Sequence, residues 1–101
     1  MRGRKDGNQQ QIVDALIEAH LSVVDLSSVP LNLPELADLP DILVGGYHQQ
    51  RGEHINVLME VKTPAGALRP GQKDFVNWWR GEVHTVRTPA EALALFGIEY
   101  E

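Results

Sequence analysis

The sequence predicts a single α/β domain, in which a mixed sheet is flanked by helices in the order αβββαβα. Three observations support this fold class. The 101 residues, 43% of them hydrophobic, suffice for one modest core. Two central segments have strand-like composition around a polar turn, and three other segments carry helical spacing or helix-start signals. We therefore expect one domain over residues 1–101, beginning with a basic arm at 1–7 that contains Arg4 and Lys5.

The first half of the chain predicts one helix, a strand and a loop. Apolar residues recur at helical spacing from Asn8 to about His20, and this stripe extends back to Gln9 at the helix end. Residues 21–26 include the β-branched Val23 and Val24 and predict a short strand, whereas 27–40, with three prolines, predict a loop. The apolar stripe consists of Ile12, Val13, Leu16 and Ile17.

Two further strands are predicted at "DILVGG" and "HINVLMEVK", separated by the polar turn "YHQQRGE". With the tip of this hairpin near Gln50 and Arg51, the numbers of paired residues sum to about 101. This register sets Asp41 opposite Glu60.

The second half predicts a helix, a strand and a final helix. Pro70 suits a first helical position, and Gly81 is expected to stop that helix. "EVHTV" predicts a short strand. Thr88 and Glu91 form a capping box that opens the last helix, which is expected to run to Gly97.

Opposite charges stand at the end of the most strand-like segment. Glu60 and Lys62 point to one face of the sheet and Val61 to the other, with Asp41 expected opposite. Carboxylates that face each other repel unless a cation lies between them, and Mg²⁺ prefers such oxygen ligands. Lys62 is then positioned to hold or deprotonate an attacking water, or to stabilise charge on a phosphate. The alternative is an ordinary solvated ion pair.

These residues carry a family resemblance. "PDILVGG" followed by "MEVKTPAGALRPGQ" resembles the PD-(D/E)XK nuclease superfamily, in particular its small stand-alone VRR-NUC type, typically encoded by phages and bacteria. The resemblance implies a restriction-endonuclease-like fold and Mg²⁺- or Mn²⁺-dependent hydrolysis of DNA phosphodiesters, leaving a 5′-phosphate and a 3′-hydroxyl. It also implies that Asp41 and Glu60 bind the metal with the Val61 carbonyl, that Lys62 assists the nucleophilic water, and that Gln72 supports the site.

The chain departs from the family pattern at two positions. Gln9 stands where similar members often carry a glutamate, so it offers the metal a carbonyl oxygen without charge, or only hydrogen-bonds Asp41 or a water. Arg69 stands before Pro70 where Ser or Thr is frequent, which replaces a neutral helix cap by a cation suited to phosphate. Arg69 and Lys73 are therefore candidate DNA contacts, as are Arg4 and Lys5 of the arm.

The expected substrate is branched DNA, with Holliday junctions leading by resemblance alone, and a two-fold homodimer follows if a junction is cut on two strands. Alternatives are a flap or nicking nuclease of repair or packaging, and a catalytically silent nuclease fold that binds DNA or protein. The net charge of −5 argues against a general nucleic-acid coat, and the absence of cysteine excludes thiol chemistry and Cys-ligated zinc.

Aromatic and histidine residues complete the expectations. We expect Trp79 to pack inside and Trp78 to face a partner, either DNA or a second copy. His48 and His54 are interpreted as turn histidines rather than as a metal pair.

No apolar run could span a bilayer and no leader precedes the domain, so we expect a cytoplasmic protein, in bacteria or a phage-infected host, without membrane partner or organic cofactor.

Overall fold

The computed structural model describes residues 7–27 and 37–100. Predictions that fall on 1–6, including Arg4 and Lys5, and on 28–36 lie outside the described residues. The elements are α1 (Gln9–Glu18), β1 (Ser22–Asp25), β2 (Ile42–His48), β3 (Glu53–Val61), α2 (Pro70–Trp78), β4 (Glu82–Val86) and α3 (Pro89–Ala94). The predicted order αβββαβα is confirmed, and so is the α/β class with a mixed sheet flanked by helices.

The four-stranded sheet has the order β1-β2-β3-β4. The first two pairings are antiparallel, and β3 and β4 run parallel. Between β2 and β3 the paired numbers sum to 101, from Ile42 with Met59 to His48 with Glu53, as predicted. Strand β2 runs through Tyr47 and His48, which were expected in the turn, because cross-strand pairing with β3 continues there.

The hydrophobic core lies between one face of the sheet and helices α1 and α3. Side chains alternate along a strand, so Val44 on β2 and Val57 and Met59 on β3 share this face. Helix α1 contributes Ile12 and Leu16 of its apolar stripe, whereas Ile17 is 55% exposed, and α3 and the turn after it contribute the other wall. The opposite face of the sheet consequently carries Asp41 and Glu60. The core residues are Ile12, Leu16, Leu21, Ile42, Val44, Ile55, Val57, Met59, Val61, Val86, Ala92, Leu93 and Phe96.

Both C-terminal helices end earlier than predicted. Helix α2 stops at Trp78, before Gly81, because Trp79 already has an extended backbone with φ −68° and ψ 128°. Helix α3 begins as predicted, with the Thr88 side chain accepting a hydrogen bond from the Glu91 amide, but it ends at Ala94. None of the helices in the described ranges has the length and apolar character needed to cross a membrane.

The expectation that Trp79 packs inside is wrong. Trp79 is 40% exposed and Trp78 is 68% exposed. The physical reason lies in the end of α2, since the extended backbone at Trp79 removes this residue from the helical stripe on which the expectation rested. Gln72 is the one buried residue of α2. Both indoles therefore lie at the surface.

Close packing at Gly46 gives a stability prediction. A β-carbon at this position would lie 2.2 Å from Leu21 Cδ2 and 3.4 Å from Phe96 Cε1. We expect Gly46→Ala to lower the free energy of unfolding by about 1–3 kcal/mol, because buried Leu21 must leave its place in the core. Urea denaturation measures the change. Gly7→Ala is the control, since nothing lies within 4 Å of its added methyl group, and a Gly46→Ala protein as stable as that control would contradict the packing.

Candidate active site

Asp41 lies at the point where β2 and β3 separate. Its carbonyl accepts a hydrogen bond from Leu26 at 2.8 Å, and its amide donates to the carbonyl of Met59 at 3.1 Å. Its carboxylate Oδ2 accepts a hydrogen bond from the Val61 amide at 2.7 Å. The chain on both sides of Asp41 is thereby anchored, and its carboxylate is held against the peptide that links Glu60 to Val61.

Glu60 is a buried carboxylate whose polar neighbours include Lys62 and Gln72. It is 4% exposed. Lys62 Nζ lies 3.9 Å from Glu60 Oε1, and the Gln72 side-chain amide donates a hydrogen bond to the same oxygen. A charge removed from water is costly unless it is paired and hydrogen-bonded, and both requirements are met here. The structure thus brings together Asp41, Glu60, Lys62 and Gln72 on the face of the sheet opposite the core.

Gln72 connects this carboxylate to the start of α2. Its Oε1 accepts a hydrogen bond from the Arg69 amide at 2.8 Å, while its Nε2 donates to Glu60. Pro70 occupies the first turn, where its missing amide proton costs nothing. The side chain is 6% exposed. Gln72 therefore orients Glu60 and closes the first turn of the helix at the same time.

Asn8 has a role that the sequence did not reveal. An asparagine before a helix predicts a cap, yet its side chain makes no capping hydrogen bond. Instead Nδ2 donates to the carbonyls of Lys62, at 2.9 Å, and Arg87, at 2.7 Å. These contacts tie the start of α1 to the ends of β3 and β4. They place Gln9, the next residue, at the same end of the sheet as Lys62.

Gln9 is 2% exposed, and its Oε1 is buried without a hydrogen-bond partner among residues 7–27 and 37–100. The Oδ1 of Asn8 is in the same situation. Leaving a buried polar group unsatisfied costs about 1–3 kcal/mol, so such an oxygen points to a partner outside the protein, namely a water or a cation. Two carboxylates, an amide oxygen and a backbone carbonyl are the hard donors that Mg²⁺ and Mn²⁺ take. The chemistry of this donor set fits such an ion.

The candidate metal ligands nevertheless include few charged side chains. Across residues 7–27 and 37–100, no group of three or more His, Asp or Glu could hold a metal ion. The two histidines of the hairpin lie apart from Asp41 and Glu60. His48 Nδ1 accepts a hydrogen bond from the Arg51 amide at 3.3 Å, and the His54 ring packs edge-on against Tyr47 at 5.2 Å. A cation at the candidate site would need neutral oxygens to complete its ligands.

Arg87 is a second residue that sequence reasoning missed. Its Nη2 donates to the Gly66 carbonyl at 2.9 Å, and its amide donates to Glu91 Oε1 at 2.6 Å. It directly follows Val86, whose carbonyl accepts a hydrogen bond from the Lys62 amide. Arg87 thus fastens the turn that follows Lys62 to the end of β4. A lone arginine after a short strand carries no motif, so no local signal pointed to it.

Arg69 and Lys73 are exposed at the start of α2. The Lys73 amide donates to the Arg69 carbonyl at 3.0 Å, so the two cations stand one helical turn apart and on one side of the helix. Gln72, which contacts Glu60, lies between them in the chain. Two positive charges therefore lie in the same first turn of α2 as Gln72, the residue that contacts Glu60.

Comparison with known proteins assigns no family. No family model matches the chain, and neither a curated protein nor a solved structure matches it at a significant level. The established fold is a small α/β domain with a four-stranded mixed sheet flanked by helices.

Proposed function

We propose that this chain is a metal-dependent endodeoxyribonuclease with the PD-(D/E)XK, VRR-NUC-like fold, which hydrolyses phosphodiesters in branched DNA. One observation carries the proposal. The Asp41 carboxylate bonds the amide of Val61, the residue that separates Glu60 from Lys62, so the residues that carry the family resemblance converge at one end of the sheet. Glu60 also differs from the members of an ordinary surface ion pair because it is buried, at 4% exposure.

The residues suited to hold the cation are Asp41 and Glu60, with the carbonyl oxygens of Val61 and Gln9. When bound, a divalent ion supplies positive charge to the phosphate and acidifies water at neutral pH. Lys62, beside Glu60, holds the attacking water and stabilises negative charge as it develops on the phosphate. The water oxygen bonds to phosphorus, the bond to the 3′-oxygen breaks, and a proton passes to that oxygen, leaving a 5′-phosphate and a 3′-hydroxyl.

Cationic side chains near the site bind DNA through its phosphate backbone. Arg69 and Lys73 lie in the same first turn of α2 as Gln72, which contacts Glu60, and both suit phosphate oxygens, which position DNA without reading its sequence. Arg4 and Lys5, which the sequence singles out, are further candidates for phosphate contact. Although the chain has a net charge of −5, these cations attract the DNA backbone to one part of its surface. The expected selectivity is for DNA shape, with Holliday junctions as the leading substrate.

Symmetric cutting of a junction requires two active sites, and one domain offers one. A two-fold homodimer is the arrangement that supplies the second site in the correct orientation. Light scattering on the purified protein measures the mass, and a value of twice 11.2 kDa is the expected result.

The proposal is tested with labelled four-way junction, flap and linear duplex DNA in Mg²⁺, Mn²⁺ or EDTA. We expect cuts on two opposite strands of the junction, with 5′-phosphate ends, that require either metal and stop in EDTA. Preferential cutting of the flap by a monomer would favour the flap nuclease instead. No cutting of any substrate in either metal would contradict the proposal.

The uncharged Gln9 favours one second candidate, a catalytically silent nuclease fold that binds DNA. Gel shifts with and without Ca²⁺, combined with the cleavage assay, distinguish the nuclease from the silent DNA-binding fold. Ca²⁺ is suitable because it takes oxygen ligands as Mg²⁺ does. Junction binding that strengthens with Ca²⁺, together with cutting in Mg²⁺, supports the nuclease. Junction binding of equal affinity with and without Ca²⁺, together with no cutting in Mg²⁺, supports the catalytically silent fold.

A further inference from the structure

Three aromatic side chains cluster near the end of α2, and we refer to Phe75, Trp78 and Trp79 as the aromatic patch. The rings of Phe75 and Trp79 are stacked at 5.7 Å with an interplanar angle of 13°. The Trp78 ring lies edge-on to Phe75, with 5.9 Å between ring centroids. It is tilted by 54° to the Trp79 ring, with 6.0 Å between centroids. Each of the three rings therefore contacts the other two.

The patch is open to solvent. Trp78 and Trp79, with Arg80 and Gly81, line an open depression of about 220 Å³. A β-carbon at Gly81 would lie 2.8 Å from Trp79 Nε1, so glycine allows the indole to lie against the backbone. Large aromatic side chains that remain exposed, yet are held in place, are typical of binding surfaces.

The charge around the patch favours an anionic partner. Residues 69–80 carry three cations and one carboxylate, in a chain of net charge −5. Arg51, a cation elsewhere on the surface, is paired with Glu82, and this pairing lowers the pKa of Glu82. The α2 segment is therefore a local basic region that also presents flat apolar rings. A nucleic acid strand matches both the positive charge and the aromatic rings, because it combines a polyanionic backbone with flat bases. The four charged residues are Arg69, Lys73, Asp74 and Arg80.

The patch and the candidate site share helix α2. Gln72 and Phe75 are three residues apart on α2, which places them on one side of the helix. Trp78, the last residue of the helix, follows about 9 Å further along the axis than Gln72, at 1.5 Å per residue. That distance corresponds to about three nucleotides of stacked strand at 3.4 Å each. A strand whose phosphate reaches Glu60 can thus place nearby bases on the rings.

We propose that the aromatic patch stacks on unpaired bases of the DNA strand that passes the candidate site. Within a duplex, each base face is covered by its neighbours, so an aromatic side chain reaches a base face only where pairing and stacking are interrupted. The substrate class that follows is DNA with an unpaired segment, such as a flap or the open centre of a junction. This inference rests on the proposed function, because it takes DNA as the ligand.

Tryptophan fluorescence tests the inference directly, since both tryptophans of the chain belong to the patch. The protein is titrated in EDTA with a duplex bearing a short thymidine tail, the same duplex with an abasic tail, and a blunt duplex. The abasic tail keeps the phosphates and removes the bases. We expect quenching by the thymidine tail, and about tenfold weaker binding of the abasic tail, because base–aromatic stacking dominates the difference.

Matched variants assign the effect to the patch. Trp78→Ala is expected to remove the preference for the thymidine tail, whereas Trp78→Phe retains most of it, as does Tyr100→Ala at an exposed aromatic residue elsewhere. Circular dichroism verifies that each variant is folded. Equal affinity for the two tails would overturn the inference. So would a concentration-dependent emission change without DNA that accompanies a doubling of mass, because it would assign the patch to a second copy.

Failure of this inference and failure of the proposed function give different results. The titration in EDTA measures binding and involves no cutting. Metal-dependent cleavage with equal affinity for the two tails would leave the nuclease in place and remove the stacking role. Preference for the thymidine tail without cleavage in Mg²⁺ or Mn²⁺ would leave the stacking surface on a catalytically silent domain.

Discussion

Replacing Lys62 by alanine, or Glu60 by glutamine, is expected to lower the rate of metal-dependent DNA cleavage by about 10²–10³-fold, the usual loss when one charge-stabilising group is removed. Lys62 places its ammonium 3.9 Å from Glu60 Oε1 at the end of β3. The alanine variant removes that charge from the developing negative charge on the phosphate. The glutamine variant keeps the shape and an acceptor for Gln72, but removes half of the carboxylate charge available to a cation. Initial rates on labelled junction DNA measure both effects.

The control for these variants is Glu99→Gln, which makes the same chemical change at an exposed carboxylate and should leave the rate unchanged. Binding of the junction in Ca²⁺ separates the two roles further. Lys62→Ala should retain metal-dependent binding, whereas Glu60→Gln should weaken it. Cleavage that survives both substitutions would remove this cluster from consideration as an active site.

Phe96→Ala is expected to have the largest effect on stability. Phe96 is fully buried and is the largest side chain buried to that extent among the described residues. Truncation leaves a cavity between α3 and the sheet, and comparable substitutions cost about 3–5 kcal/mol. Because domains of this size are stable by about 5–15 kcal/mol, the loss approaches the whole stability of a marginal domain. Urea denaturation, followed by circular dichroism, measures the difference in the free energy of unfolding.

Tyr100→Ala provides the comparison, because this aromatic residue lies four positions away and is 55% exposed. It should change the free energy of unfolding by less than about 0.5 kcal/mol. Phe96→Leu keeps most of the volume and should recover much of the loss. A Phe96→Ala protein destabilised by less than about 1 kcal/mol would show that the core does not depend on this ring.

The element order and the hairpin register could be predicted from the sequence because both depend on local signals. Turn residues between 47 and 53 located the hairpin tip, and alternation along two strands then placed Asp41 near Glu60. Proline at position 70 and the capping residues Thr88 and Glu91 marked two helix starts correctly. Each of these signals acts within a few residues of the structure that it determines.

Other parts of the site depend on residues far apart in the chain. Asn8 has the local pattern of a helix cap, yet its side chain joins the carbonyls of Lys62 and Arg87, which lie 54 and 79 positions away. Arg87 fastens the turn at Gly66 across 21 positions. Likewise, helical spacing suggested that Trp79 is buried, but the helix ends one residue before it.

By itself, the sequence determined the class of fold, the hairpin register and a cluster of charges at one end of a sheet, because periodicity, turn chemistry and capping are short-range properties. Only the tertiary structure decided which groups complete that cluster. It buried the oxygen of Gln9 next to Asn8, whose side chain bonds the end of β3, set Gln72 against Glu60, and left both tryptophans exposed at the end of α2. The physical reason is that burial and long-range hydrogen bonds depend on how helices pack across the sheet, which no local pattern encodes.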